Sequence, residues 1–184
     1  MIKFEDTLNR LDEFCRKNFI DYAVIDGIAV ITYDYQRTTK DIDITVLCKL
    51  EELKQIYDKF IKNYLPVYED SLDFFTRNFV LPVKDKTTEV RIDVAAGLTE
   101  FDDTIINRRI RAKLGESEFY ICTLEDLILY KLFASRLLDL GDVENLLRKN
   151  KNSVDKKYLL ETAEKFKELE REEIIENLNK LFNQ

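Results

Sequence analysis

The amino-acid sequence predicts a mixed α/β (α+β) fold, in which a sheet flanked by helices precedes a helical C-terminal part. Three observations predict it. Short segments alternate polar with β-branched residues, which is the period of a strand. Between them, apolar residues recur at intervals of three and four, the period of a helix, and this helical pattern alone continues from Thr123 to Gln184. We therefore expect an α/β core at residues 1–122 and a helical part at residues 123–184 packed on it.

Helices and short strands alternate in the first third of the chain. The predicted elements are a helix at 4–18, a strand at 21–25, a helix at 28–35, a strand at 41–47 and a helix at 50–63. Gly27 marks the end of the first strand, and the polar run 37–40 leads into the second strand. Turn-forming residues are scarce, with 4 Gly and 2 Pro in 184 residues, and this scarcity favours long regular elements.

The middle of the chain has a less regular pattern. The predicted strands are, in order, a pair within the aromatic segment 67–81 and single strands at 87–96, 105–114 and 118–122. Thr123 then begins the helical region as an N-cap, with Asp126 three residues further on. Within this region we predict breaks near Gly141 and at 150–153.

Composition excludes several classes of catalytic site. Histidine is absent, which excludes Ser-His-Asp and Cys-His nucleophiles and histidine-ligated zinc. The net charge of −7 argues against a uniformly basic nucleic-acid-binding surface. The three cysteines form no C-x-x-C pair, so we predict buried free thiols in a reducing compartment. No apolar run approaches the roughly 20 residues of a membrane span, so we expect a cytoplasmic protein with no membrane partner.

Two predicted strands carry carboxylates on their polar faces. Side chains alternate along a strand, so Asp41 shares a face with Asp43, and Arg91 shares one with Asp93. If the strands are neighbours, three carboxylates converge, and they repel one another unless they are protonated, paired or metal-bound. Oxygen ligands of this kind favour Mg²⁺ or Mn²⁺. The residues alone leave open the alternative of a half-exposed strand with solvated carboxylates.

An anion-binding element precedes these carboxylates. A strand, then Gly27, then the start of a helix would present free backbone N–H groups to an anion such as a triphosphate. Arg37 and Thr39 lie between this turn and Asp41, in the run R-x-T-x-D-x-D.

The run VIDGIAVITYDYQRTTKDIDITV at residues 24–46 resembles the nucleotidyltransferase superfamily, as do VRIDV at 90–94 and TLEDLILYK at 123–131. It is most similar to the branch that contains the AbiEii-like toxins of abortive-infection systems, and the resemblance covers roughly residues 20–147. It implies a nucleotidyltransferase-type mixed sheet flanked by helices. It also implies transfer of a nucleoside monophosphate from an NTP to a hydroxyl acceptor, with release of pyrophosphate.

The resemblance also implies site residues. Asp41, Asp43 and Asp93 would be the catalytic and metal-binding residues, holding two Mg²⁺ (or Mn²⁺) ions with bound NTP, and Asp93 would also bind or deprotonate the attacking hydroxyl. The residues implied in NTP binding are Gly27, Arg37, Thr39 and Lys131. The acceptor stays open among RNA, protein and a small molecule such as an aminoglycoside. A toxin of this branch would have a cognate antitoxin as its partner.

Asp26 departs from the family pattern, because related sequences usually carry Gly-Gly or Gly-Ser where this chain has Asp26-Gly27. The resemblance places this carboxylate beside bound phosphate, where it would repel the anion unless it is turned away or metal-bound. We therefore expect weakened nucleotide affinity, and a non-catalytic nucleotide-binding or interaction module is the alternative function. A carboxylate that faces solvent or caps the helix is the structural alternative.

Other charged side chains have two interpretations each. Lys131 lies on an apolar helical stripe, where it forms a salt bridge with an Asp or, as the resemblance implies, contacts phosphate. Arg136 with Asp139 and Asp142 is predicted to form an ion-pair cluster between helices. A basic stripe that would meet RNA or line a solvated edge strand comprises Arg109, Arg111 and Lys113.

Overall fold

The computed structural model describes residues 2–33 and 37–182, and in these ranges one mixed sheet is flanked by helices. The seven strands described are β1 (Tyr22–Ile25), β2 (Asp41–Leu47), β3 (Leu65–Pro66), β4 (Val80–Lys84), β5 (Arg91–Gly97), β6 (Ile110–Leu114) and β7 (Ser117–Ile121). Their spatial order is β3-β4-β5-β2-β1-β7-β6. The pairs β2–β5 and β1–β7 are parallel and the other pairs are antiparallel. The predicted mixed sheet flanked by helices is confirmed.

Helices flank the sheet and make up the C-terminal part. The described helices are α1 (Ile2–Lys17), α2 (Asp26–Thr32), α3 (Leu53–Asn63), α4 (Ser71–Asn78), α5 (Glu100–Arg108), α6 (Leu124–Ala134), α7 (Leu137–Lys149), α8 (Lys156–Lys165) and α9 (Glu173–Phe182). Every regular element described after β7 is helical, while the division of the chain at residue 122 stays a prediction. None of the described helices combines the length and the apolar character needed to cross a bilayer.

Apolar residues of β2 and β5 form the centre of the core. Ile42 pairs in register with Ile92, and Ile44 with Val94, and all four side chains are fully buried. Because side chains alternate along a strand, this register leaves the carboxylates of the two strands on the other, partly accessible face. The cysteines are free and buried, as predicted: Cys15, Cys48 and Cys122.

The aromatic segment 67–81 corrects a sequence prediction, because its middle forms α4 rather than part of a strand pair. Phe75 is fully buried, whereas Asp73 and Arg77 on the exposed face form an ion pair at 2.8 Å. Aromatic residues favour strands in general. Here the apolar face of the amphipathic helix α4 packs against α3 and β4, and that packing outweighs the strand propensity of the aromatic residues.

The strand predicted from residue 105 is also wrong in its first four residues, which belong to α5. The Thr99 side chain accepts a hydrogen bond from the Asp102 N–H at 3.1 Å, and the Asp102 carboxylate accepts one from the Thr99 N–H at 3.0 Å. This reciprocal capping box fixes the start of the helix. The T-x-x-D spacing was visible in the sequence and could have indicated α5.

Several further boundaries differ from the predicted ones. β5 begins at Arg91 rather than at 87, because the Asp85 carboxylate accepts the N–H of Thr87 at 2.8 Å and closes a turn there. The helical part breaks at Ser135, whose φ is 53°, rather than at Gly141, which lies inside α7. The helix predicted at 28–35 begins two residues earlier, at Asp26, and ends at Thr32, while the predicted residues 34 and 35 lie outside the described ranges.

Candidate active site

The predicted carboxylates lie on the neighbouring strands β2 and β5, although within the described residues the oxygens of all three do not come within 4.8 Å of one another. β2 and β5 pair so that Asp43 faces Asp93, and Asp41 faces Arg91. Antiparallel β1 pairs on the other side of β2, where Ile25 faces Asp43. The chain therefore turns from β1 into α2 directly beside this group. We call Asp41, Asp43 and Asp93 the carboxylate edge.

The surroundings of Asp43 in the carboxylate edge disfavour its charged form. Burial raises the pKa of Asp43 to about 7, and the negative charges of Asp26, Asp41 and Asp93 add to this effect. The positive charge of Arg136 opposes it. No ion pair with Asp43 is found within residues 2–33 and 37–182. Asp43 therefore adds negative charge to this end of the sheet without an ion-pair partner of its own among the described residues, whereas Asp93 is paired with Arg91.

Asp93 differs from Asp43 because it has a cationic partner on its own strand. Arg91 donates from Nε to Asp93 Oδ1 at 2.8 Å and from Nη2 to Oδ2 at 3.0 Å. This hydrogen bonding to Asp93 raises the pKa of the guanidinium. The two-point contact fixes the plane of the carboxylate, and each oxygen keeps a lone pair for a further partner.

The turn from β1 into α2 packs against the loop that carries R-x-T. Asp26 has a φ of 50°, in the left-handed region that Asp and Asn tolerate better than other residues with a side chain. A Cβ added to Gly27 would lie 2.5 Å from Thr39 Oγ1, so only glycine lets the loop approach this closely. Thr39 Oγ1 in turn donates towards Asp41 Oδ1 at 3.2 Å. The glycine thus allows the threonine to reach the carboxylate edge.

A buried lysine joins this turn to the C-terminal helices. Lys131 is fully buried, and its Nζ lies 2.6 Å from Asp26 Oδ1, 2.8 Å from Asp142 Oδ2 and 3.1 Å from Asp139 Oδ1. Burial alone would lower the pKa of Lys131, but the charge of Asp26 and the hydrogen bonds from Lys131 to Asp142 and Asp26 raise it. The side chain is therefore an ammonium bound to three carboxylates.

Two arginines complete the same cluster. Arg136 Nη2 lies 2.9 Å from Asp26 Oδ2, and its Nε lies 2.6 Å from Asp139 Oδ2. Arg37 is paired with Asp142, and its Nη1 lies 3.8 Å from Asp26 Oδ1. Three cations therefore face three carboxylates, and their formal charges cancel. We call this set the ion-pair cluster: Asp26, Arg37, Lys131, Arg136, Asp139 and Asp142.

The acids of the ion-pair cluster could by their spacing hold a metal ion. Within the described ranges, Asp26, Asp139 and Asp142 are the acids whose oxygens meet within 4.8 Å of one another. The Lys131 ammonium, however, lies within 3.1 Å of all three. A lysine thus supplies the positive charge at the place where a metal ion would bind.

The structure groups the predicted site residues around the β1–α2 turn. Gly27 packs against Thr39, and Thr39 donates towards Asp41. Arg37 and Lys131 belong to the ion-pair cluster. Lys131 forms salt bridges with Asp residues, which is one of the two interpretations from the sequence. Contact between Lys131 and phosphate stays a prediction. Sequence reasoning missed Asp26 as a partner of Lys131, because no local pattern joins residues 105 positions apart.

The basic stripe at the start of β6 and within it is neutralised by carboxylates. Arg109 pairs with Asp21 at 2.6 Å and Arg111 with Asp12 at 2.6 Å. Lys113 pairs with Glu118 at 2.8 Å. β6 is the last strand at its side of the sheet, so these pairs favour the edge-strand interpretation over contact with RNA.

Comparison with known proteins gives a family and a fold. Residues 3–183 match the family described as a nucleotidyltransferase of unknown function (DUF6036). No curated protein matches the chain. Among solved structures, one similar protein is an antigenic nucleotidyltransferase-like protein from Paracoccidioides brasiliensis. It has a TM-score of 0.55 and 14% identity, over 96% of this chain and 92% of that one.

A second similar structure is the lincosamide antibiotic adenylyltransferase LnuA, solved with lincomycin bound. Its TM-score is 0.51 at 16% identity, and the match covers 77% of this chain and 95% of that one. At these identities, the two likenesses show a common fold.

Proposed function

Because this chain belongs to the nucleotidyltransferase family DUF6036, we propose that it transfers a nucleoside monophosphate from an NTP to an acceptor hydroxyl. The observation that carries the proposal is the carboxylate edge, where the half-buried Asp43 lies near the charges of three other acids and has no ion-pair partner among the described residues. Concentrated charge of this kind is costly for folding and is typical of functional sites.

The carboxylate edge suits a divalent cation in its chemistry. Its donors are oxygens from Asp41, Asp43 and Asp93, which Mg²⁺ and Mn²⁺ prefer. The pKa of Asp43 is raised first by burial and then by the charges of neighbouring acids, which a cation would neutralise. We assign these three residues as the ligands of two such ions. When bound, the ions would stabilise charge on the attacking and leaving oxygens.

The β1–α2 turn and the R-x-T loop would bind the triphosphate. Gly27 keeps the loop close, Thr39 offers a hydroxyl next to Asp41, and Arg37 supplies a cation at the same turn. Lys131 would contact phosphate only after giving up a carboxylate partner, because all three of its close contacts are with Asp. Positioning of this kind accounts for most of the catalysis of phosphoryl transfer.

The transfer itself exchanges one P–O bond for another. The acceptor oxygen forms a bond to the α-phosphorus, and the bond from that phosphorus to the α–β bridging oxygen breaks. Pyrophosphate leaves with the electron pair, and the hydroxyl proton passes to Asp93. Arg91 holds the Asp93 carboxylate in a fixed plane, so a free lone pair is available to the proton.

Incubation with labelled NTP tests the proposal. The purified chain, Mg²⁺ and a cell lysate are combined with each of the four NTPs labelled at the α-phosphate, and the Asp43→Asn variant serves as the inactive control. We expect label to enter one class of acceptor with release of an equal amount of pyrophosphate. Equal labelling by Asp43→Asn, or no labelling with any NTP, would overturn the proposal.

The labelled fraction also identifies the acceptor. Label in RNA or protein, with loss of growth when the chain is expressed alone, supports a toxin with a cognate antitoxin. Label in a small hydroxyl compound supports the small-molecule alternative.

We place the reaction in the cytoplasm, since three buried free thiols suit a reducing compartment.

A further inference from the structure

Every cation of the ion-pair cluster already has an internal anion as its partner. Arg37, Lys131 and Arg136 each bind at least one carboxylate, and three positive and three negative formal charges cancel. A polyphosphate arriving at the β1–α2 turn therefore meets no free cation of this cluster. To gain one, it must take the place of a carboxylate.

Asp26 is the carboxylate that an arriving ligand can reach. Its side chain is 17% exposed, whereas those of Asp139 and Asp142 are 1% and 2% exposed. It also bridges two cations, with Oδ1 on Lys131 at 2.6 Å and Oδ2 on Arg136 at 2.9 Å. Each oxygen of Asp26 therefore binds a different cation, and two non-bridging oxygens of a phosphate would bind the same two cations in the same way.

We infer that Asp26 is an internal competitor of the triphosphate: it occupies the cations Lys131 and Arg136, and a polyphosphate binds by displacing it. The inference rests on the proposed function and adds Arg136 to the triphosphate site. It replaces the simple repulsion expected from the sequence, because Asp26 acts through the cations that it holds.

Removal of Asp26 leaves the cluster able to fold. Lys131 keeps Asp139 at 3.1 Å and Asp142 at 2.8 Å, so its ammonium is not left without a partner. Asn has the shape of Asp and tolerates the φ of 50° at this position, and Gly accepts it without strain. Asp26→Asn is therefore the principal variant, and Asp26→Gly is the second.

Binding of inorganic tripolyphosphate tests the competition without any preference for a base. Calorimetric titration with saturating Mg²⁺ compares the wild type, Asp26→Asn, Arg136→Gln and the double variant. We expect Asp26→Asn to bind about tenfold more tightly than the wild type, since it removes the carboxylate shared by Lys131 and Arg136 and leaves three cations facing two carboxylates. In the Arg136→Gln background we expect the gain to fall to about threefold or less, because one of those cations is then absent.

The double-variant comparison separates competition from repulsion. Repulsion alone predicts an equal or larger gain in the Arg136→Gln background, where Arg136 no longer offsets the charge of Asp26. That result overturns the inference, as does equal affinity of the wild type and Asp26→Asn, or no binding by either one.

Nucleotide transfer is read out separately. Transfer by the wild type with no effect of Asp26→Asn on tripolyphosphate binding refutes the competition and leaves the proposed function standing. Tighter tripolyphosphate binding by Asp26→Asn, without transfer from any NTP, supports the competition and refutes the proposed function.

Discussion

Asp43 faces Asp93 on the neighbouring parallel strand, with Ile42–Ile92 and Ile44–Val94 as the flanking buried pairs. The apolar pairs fix the register, and the register brings the two carboxylates together. A shift by one residue would turn the acids into the core, so the geometry of the site depends on the packing of the hydrophobic face.

Asp43→Asn should reduce nucleotide transfer by at least about a hundredfold, the upper end of the loss seen when residues that merely support a metal ligand are changed. The fold should persist, because the substitution removes charge repulsion rather than a favourable contact. Initial rates with labelled NTP measure the effect. The matched control is Asp58→Asn on α3, a 48%-exposed acid paired with Lys54, which should keep full activity.

Without divalent metal, stability should depend on the protonation of Asp43. Its pKa is about 7 in the folded state and 3.8 ordinarily, so between these values the folded state binds more protons than the unfolded state. The free energy of unfolding should therefore fall as pH rises from about 4 to 7, by roughly 1–2 kcal/mol after allowance for solvent relaxation.

Urea unfolding of the wild type and Asp43→Asn across this pH range isolates that contribution as the difference between the two curves. Mg²⁺ should restore part of the loss in the wild type. A difference that is constant from pH 4 to pH 7 would show that the Asp43 carboxyl is not perturbed.

Gly27→Ala should destabilise the protein, because the added Cβ would lie 2.5 Å from Thr39 Oγ1 and 2.9 Å from Thr39 Cβ. Overpacking of this kind costs about 1–3 kcal/mol. The matched variant is Gly141→Ala inside α7, where the added Cβ would meet no atom within 4 Å beyond its chain neighbours and the backbone of its own helix. It should stabilise the helix by about 0.5–1 kcal/mol. Thermal melts compare the two, and shifts of the same sign would contradict the packing described for Thr39.

Lys131→Met should be among the most destabilising substitutions in the chain. It leaves the buried carboxylates of Asp139 and Asp142 without their shared ammonium, and breaking a buried pair in this way costs about 3–5 kcal/mol. Adding Asp142→Asn to Lys131→Met should recover part of that loss. Chemical denaturation measures both. A cost below about 1 kcal/mol for Lys131→Met would mean that the ammonium does not stabilise the cluster.

Local sequence patterns predicted most of the regular structure. Alternation located β2 with its observed bounds and the core of β5, because one face of each strand is buried and the other is polar. The strand predictions for the aromatic segment at α4 and for the end of α5 were wrong. In both cases a short amphipathic helix contains residues that also favour strands, and packing decides between the two.

The sequence by itself determined the residue types of the site: two carboxylates on alternate positions of one strand, a third on another strand, a glycine before a helix and no histidine. Only the tertiary structure decided the partners of the charged groups. Lys131 and Asp26 lie 105 residues apart, and their contact depends on how α6 packs against the β1–α2 turn. Residue types follow from local order in the chain, whereas ion pairing in the interior depends on long-range packing, which brings charges together and removes water from around them.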